Sequence, residues 1–184
     1  MLHKIGFFLF TAIVFTSCWI KTNDKILGQS SDSLEYDPSY EEMKKEYIQR
    51  YRREEIIDTT FQQAQGKVSL QLIHLCLFDS LTIPAKYNWG NNENFHTHNF
   101  ASELRIFQAG DTILTATIEK DMFNTLLSDE LKKYGVLMYP SLRDYDFVNG
   151  VFKIHYSLSI PLTDVGVSVV LEVGVDGTMS VKND

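Results

Sequence analysis

Val151 to Ile160, VFKIHYSLSI, alternates without a break, with Phe152, Ile154, Tyr156, Leu158 and Ile160 set against Lys153, His155, Ser157 and Ser159. A period of two puts each set on its own face of an extended strand. The apolar face then has to be covered by a second layer. The same period returns wherever the chain is not obviously helical or turn-like. Val68, Leu70, Leu72, His74, Cys76 and Phe78 share one face of a second run, while Ile73, Leu75 and Leu77 fill the other. Apolar residues on both faces predict a strand in the middle of its sheet.

Turn chemistry divides the remaining strand-like segments. Ile56–Gln62 and Val68–Phe78 flank QAQGK, Leu104–Gln108 and Thr112–Glu119 flank AGD, and the C-terminal strands meet at Asp176-Gly177. Glycine-containing connections of this length predict hairpins, and Asp-Gly is the strongest of the three signals. Asp121–Gly135 interrupts the strands with one or two short helices, for which Asp121 and Ser128 are N-cap residues and Gly135 a stop.

A longer helix precedes them. Ser39-Tyr40-Glu41-Glu42 fits a capping box, and Met43, Tyr47 and Tyr51 recur every four residues with Ile48 beside them. The other face carries Lys44, Lys45, Glu46, Arg50, Arg52, Arg53, Glu54 and Glu55. Glu41–Lys45 and Glu46–Arg50 stand at pairing distance on a helix, so this face reads as solvated and internally balanced. The fold expected is α+β: an N-terminal amphipathic helix packed on a curved antiparallel β-sheet of about six to eight strands, with a small closed β-barrel as the alternative.

The first residues belong to a different kind of segment. Lys4 is followed by IGFFLFTAIVF, eleven residues without a charge, and then Thr16-Ser17-Cys18. A helix needs roughly 20 apolar residues to span a bilayer core, so this run is too short to cross and has the length of a signal-peptide h-region. FTSC resembles the lipobox of bacterial lipoproteins, in which the cysteine is acylated and becomes the first residue of the mature chain. The family's usual aliphatic residue three places before the cysteine is replaced here by Phe15. With the spacer and the C-terminal HYSLSIPLTDVGVSVVLEVGVDGTMSVKND, the chain is similar to small lipoproteins of Bacteroidota that carry domains of unknown function. The resemblance implies a lipid anchor at Cys18 and a place in the bacterial cell envelope. The outer membrane is favoured, with the periplasmic and surface sides both open.

Three segments follow: a signal peptide over 1–17, the lipidated cysteine and a flexible tether over 18–38, and a single α+β domain over 39–184. Removal of residues 1–17 takes one lysine and no acid, so the formal charge moves from −7 to −8, with 16 basic against 24 acidic side chains. An acidic body is repelled by anionic lipid, which leaves acyl chains to do the holding. The same charge argues against nucleic acid as a partner. Cys76 is the only other cysteine, and its apolar strand makes it a buried small hydrophobe.

Motifs for nucleotide binding, serine hydrolysis and zinc proteolysis are missing from the sequence. No cofactor or metal is expected. The densest chemistry lies in Lys86–Phe100, KYNWGNNENFHTHNF. His96 and His98 are two apart, which on a strand points both imidazoles the same way, but a metal would need His74, His155 or Glu103 to converge on them. Tyr87 and Trp89 among asparagines form either an aromatic platform for a glycan or peptide, or a loop that folds its rings back over the sheet. Two functions follow. One is a non-catalytic binding or accessory module for a glycan, peptide or envelope protein, with Tyr87, Trp89, His96 and His98 as its ligand residues. The other is an envelope hydrolase assembled from dispersed histidines and carboxylates.

Overall fold

The computed structural model describes residues 38–63, 66–88 and 93–184. Cys18, the signal segment and Trp89 fall outside those residues. Among them the protein is mostly β, with ten strands, all antiparallel, in three sheets. The first sheet has the order β1 (Glu55–Gln63), β2 (Gly66–Cys76), β5 (Phe100–Gln108) and β6 (Asp111–Ile118). The second runs β10 (Met179–Asn183), β9 (Gly166–Gly174), β8 (Val151–Ser159) and β7 (Val136–Asp146). A small ribbon pairs β3 (Leu81–Ile83) with β4 (Phe95–Thr97).

Antiparallel hairpins were expected, and they form where the turn residues lie. β1 pairs with β2 from Glu55↔His74 to Gln63↔Gly66. Ala109 and Gly110, at φ +52° and +97°, make the β5–β6 turn with both residues left-handed, whose twist suits adjoining strands. At the β9–β10 turn Asp176 Oδ1 accepts from the Thr178 amide (3.0 Å) and hydroxyl (2.7 Å). β2 lies between β1 and β5, the central position its two apolar faces predicted. α2 (Asp129–Tyr134) has Ser128 as N-cap, its hydroxyl accepting from the Leu131 amide at 3.3 Å.

The single curved sheet is replaced by two sheets that share one core. Val68, Leu70, Leu72, Leu104 and Ile106 from the first are buried together with Phe152, Ile154, Tyr156, Leu158, Leu171 and Val173 from the second. Phe61 stacks on Tyr145 at 4.7 Å, joining β1 to β7. The physical reason is area. α1 (Pro38–Gln49) has 12 residues and a length of about 18 Å, too little to cover four strands, so a second sheet does it. The described strands do not close into a barrel. β7 went unread because its period is broken. Tyr139 is left-handed (φ +53°), Pro140 donates no hydrogen bond, and the register shifts twice against β8, as edge strands permit.

α1 also differs in detail from its expected form. It starts at Pro38, which fixes a helical φ at the first turn and places Ser39 inside the helix and not at its cap. Its inward stripe is Tyr40, Lys44, Tyr47 and Tyr51, whereas Met43 and Ile48 are exposed. Tyr47 and Tyr51 both bond the buried Thr97 hydroxyl, at 3.0 and 2.9 Å, and Tyr40 donates to Asn88 Oδ1. Three tyrosine hydroxyls thus hold α1 and the turn after it to β4 and the loop before it. Neither expected glutamate–lysine nor glutamate–arginine pair forms within α1, and Arg50 pairs instead with Glu55 at 3.2 Å.

Candidate functional site

The 86–100 segment is more structured than a loop. Ala85–Tyr87 form a 3-10 turn and Phe95–Thr97 form β4. Tyr87 donates to Glu130 Oε1 at 2.6 Å, and its ring lies 5.6 Å from that of Tyr134. The Lys86 ammonium sits 4.4 Å over the Tyr87 ring and 3.5 Å from Glu130. The Tyr87 hydroxyl, helped by Lys86, draws the Glu130 carboxyl below its usual range. Tyr87 therefore ties this segment to α2. Asn88 is buried, accepts from Tyr40 and donates to the Glu93 carbonyl at 2.6 Å.

His96 and His98 go to different neighbours. His96 is exposed on β4, with Nδ1 3.1 Å from Thr82 Oγ1 on the partner strand. His98 donates from Nδ1 to the Asp79 carbonyl, and its ring lies 4.7 Å from Tyr51 and 5.7 Å from Phe78. The strand ends at Thr97, so the period of two does not extend to His98. The other described histidines are engaged elsewhere: His74 with Ser102 (2.9 Å) and His155 with Asp184 (3.1 Å). Among the described residues no group of three or more His, Cys, Asp or Glu is arranged to hold a metal.

The most ligand-like surface lies where His98 leads. β2 stops at Cys76, two residues before the expected end of the run, and Phe78 turns left-handed at φ +51° and is 65% exposed. A bulky residue at positive φ is strained and persists only where its surroundings impose it. Those surroundings are a set of hydrogen bonds around Asp79 and Asn99. The Leu77 amide donates to the Asn99 carbonyl (2.9 Å). The Asn99 amide and Nδ2 both donate to the Asp79 carboxylate (2.7 Å each), and His98 donates to the Asp79 carbonyl. His98 thus helps position Phe78.

Phe78 borders a groove of about 600 Å³ shared with α1, lined by Lys44, Lys45, Ile48, Tyr51 and Arg52 among others. A second hollow of about 270 Å³ continues past Tyr51, Arg52 and Phe78 to Arg53, Leu75 and Cys76. Together they offer an apolar floor and a cationic rim. Lys45 and Arg52 have no carboxylate within 4.0 Å among the described residues. Lys45, Glu46, Arg52, Arg53 and Glu54 are exposed as expected, but Lys44 is half-buried and the pairs expected within α1 do not form. In the sequence the cations of this rim, at 44–53, stand far from CLFDS at 76–80, and only the fold brings them together.

One further cluster lies inside the core. His74 is buried, bonds Ser102 through Nδ1 and stacks on Phe100 at 5.5 Å. Burial pushes the imidazole down to about 4. Tyr156 lies 6.4 Å away, its buried hydroxyl pushed above its usual range by the same desolvation. Cys76 is a buried free thiol raised by burial, as befits a small hydrophobe. No protein-family model matches the chain, and neither does any curated protein.

Proposed function

We propose that the chain is a lipid-anchored binding module of the bacterial cell envelope, held by acyl chains on Cys18, with its contact surface in the groove between α1 and Phe78. In this scheme α1 lies on the β layer as one wall of the groove. The observation that carries the proposal is Phe78 itself: an exposed phenylalanine held at φ +51° beside Lys45 and Arg52, which have no carboxylate within 4.0 Å among the described residues. Core packing explains neither the exposure nor the strain, whereas a contact surface uses both. The N-terminal run from Lys4 to Cys18 supplies the address. A hydrolase centred on His96 and His98 has less support, because the two imidazoles bond to different neighbours.

Two experiments test the two halves. Labelled palmitate should enter the chain in its native cells and should not enter Cys18→Ser; equal labelling removes the anchor. A photo-crosslinking residue in place of Lys45 should capture an envelope component, while one in place of Glu103 on the exposed face of β5 should not. Equal capture at both positions removes the contact surface.

A further inference from the structure

We infer that the α1–Phe78 surface is a second membrane contact, which docks on the anionic headgroup layer of the leaflet that holds the anchor. This rests on the preceding assignment of that surface as the contact face and names its partner.

Charge is the first argument. Lys44, Lys45, Arg52 and Arg53 line the two joined hollows against Glu41 and Glu54, four cations to two carboxylates. The chain as a whole carries −7. A net-positive face on an acidic protein is oriented by an anionic surface, with this side turned toward it and the acidic remainder turned away. Lysine ammonium groups and arginine forks are also the donors that phosphates take.

The apolar residues supply the second argument. Phe78, Ile48 and the neighbouring Leu77 are all exposed large hydrophobes, and Tyr51 is half-buried behind them. An aromatic ring among cations is the composition of an interfacial contact: the ring enters the boundary between headgroups and acyl chains while the charges stay with the phosphates. The turn that presents Phe78 is fixed by Asp79 and Asn99, so the ring is held out before any lipid arrives.

Covalent connection is the third. Pro38, the first residue of α1, follows Cys18 by 20 residues, a reach of at most about 70 Å. The helix that receives the tether is also the one that carries Lys44 and Lys45. Anchoring at Cys18 therefore holds this helix near the bilayer, and a weak headgroup contact gains from the high effective concentration. Acyl chain plus basic face is the usual pairing of signals for a stable peripheral attachment.

The test uses the mature chain from residue 18 carrying Cys18→Ser, which removes the acyl chains and keeps every described residue. It is sedimented with vesicles of phosphatidylcholine alone, or of phosphatidylcholine mixed with phosphatidylglycerol. Binding is expected only to the mixed vesicles, and it should weaken as salt rises. Lys45→Gln with Arg52→Gln should lower partitioning about 25-fold, at about fivefold per charge. Phe78→Asn, a residue that tolerates a left-handed backbone, should lower it about tenfold without loss of melting temperature. Arg52→Lys should retain binding. Equal binding to both vesicle types, no binding to either, or indifference to these variants overturns the inference. If the vesicles fail while the crosslinker at position 45 still captures an envelope protein, the lipid partner is wrong and the contact face stands. If both fail, the face itself is wrong.

Discussion

Acid should loosen this protein through one imidazole. His74 lies in the shared core between the two sheets, 3% exposed, and burial lowers its folded value from 6.5 to about 4. In the unfolded chain the ring titrates near 6.5. Between those values the unfolded state holds more protons than the folded one, so stability falls as pH drops through about 6.5 and goes on falling to about 4. The shift predicts a loss of about 2 kcal/mol by pH 5 and about 3 kcal/mol by pH 4. Urea unfolding followed by circular dichroism at several pH values measures it. His74→Gln keeps a polar side chain toward Ser102 and cannot titrate. Its stability should be lower near pH 7, yet flatter with pH by about 2 kcal/mol between pH 7 and 5. The carboxylates and the other histidines are common to both proteins and drop out of the difference. Parallel pH profiles for the two would refute the assignment.

Phe78→Gly should raise stability by up to about 1 kcal/mol, because glycine relieves the left-handed backbone; a loss of that size in urea midpoint would make Phe78 a core residue. Thr97→Val leaves the hydroxyls of Tyr47 and Tyr51 without their partner. It should cost about 1–3 kcal/mol and increase hydrogen exchange in α1 ahead of the sheets, whereas uniform exchange would show that the helix is held some other way. Trp89→Ala should abolish binding of the chain on a glycan or envelope-protein array with melting temperature nearly unchanged if the 86–100 segment is a ligand site; a large drop in melting temperature would place Trp89 in the packing.

The strands that could be read from sequence are those whose environment is uniform along their length. β8 is buried on one face from end to end, so its period of two is clean, and β2, apolar on both faces, lies between two other strands. The hairpins were legible through Gly177 and Gly110, whose left-handed backbone favours glycine. β7 was hidden by Pro140 and two register shifts, and β3–β4 by their three-residue length, which is too short for any period to show. The division into two sheets follows from how much area a 12-residue helix leaves uncovered. That quantity depends on the whole topology.

The site shows the same boundary. Alternation carried the strand on to Phe78, whereas β2 ends at Cys76 and the backbone turns left-handed at Phe78. The hydrogen bonds responsible come from Asn99 and His98, about twenty residues along the chain. Likewise the balance of charge on α1 depended on whether Glu41 and Glu46 reach their lysine and arginine, and Arg50 turns to Glu55 instead. Lys44, which helical spacing put on the solvated face, lies 5.7 Å over the Phe95 ring. Pairing rules for an isolated helix do not anticipate partners supplied by a ribbon that folds against it.

Anchoring at Cys18 is the claim on which the envelope location and the membrane-facing groove both depend, and intact-mass measurement of the chain purified from its native membranes tests it in one spectrum. The predicted result is a protein that begins at Cys18 and carries the added mass of acyl chains on that residue. A chain that retains its first seventeen residues, or one that starts at Cys18 with an unmodified thiol, would contradict it.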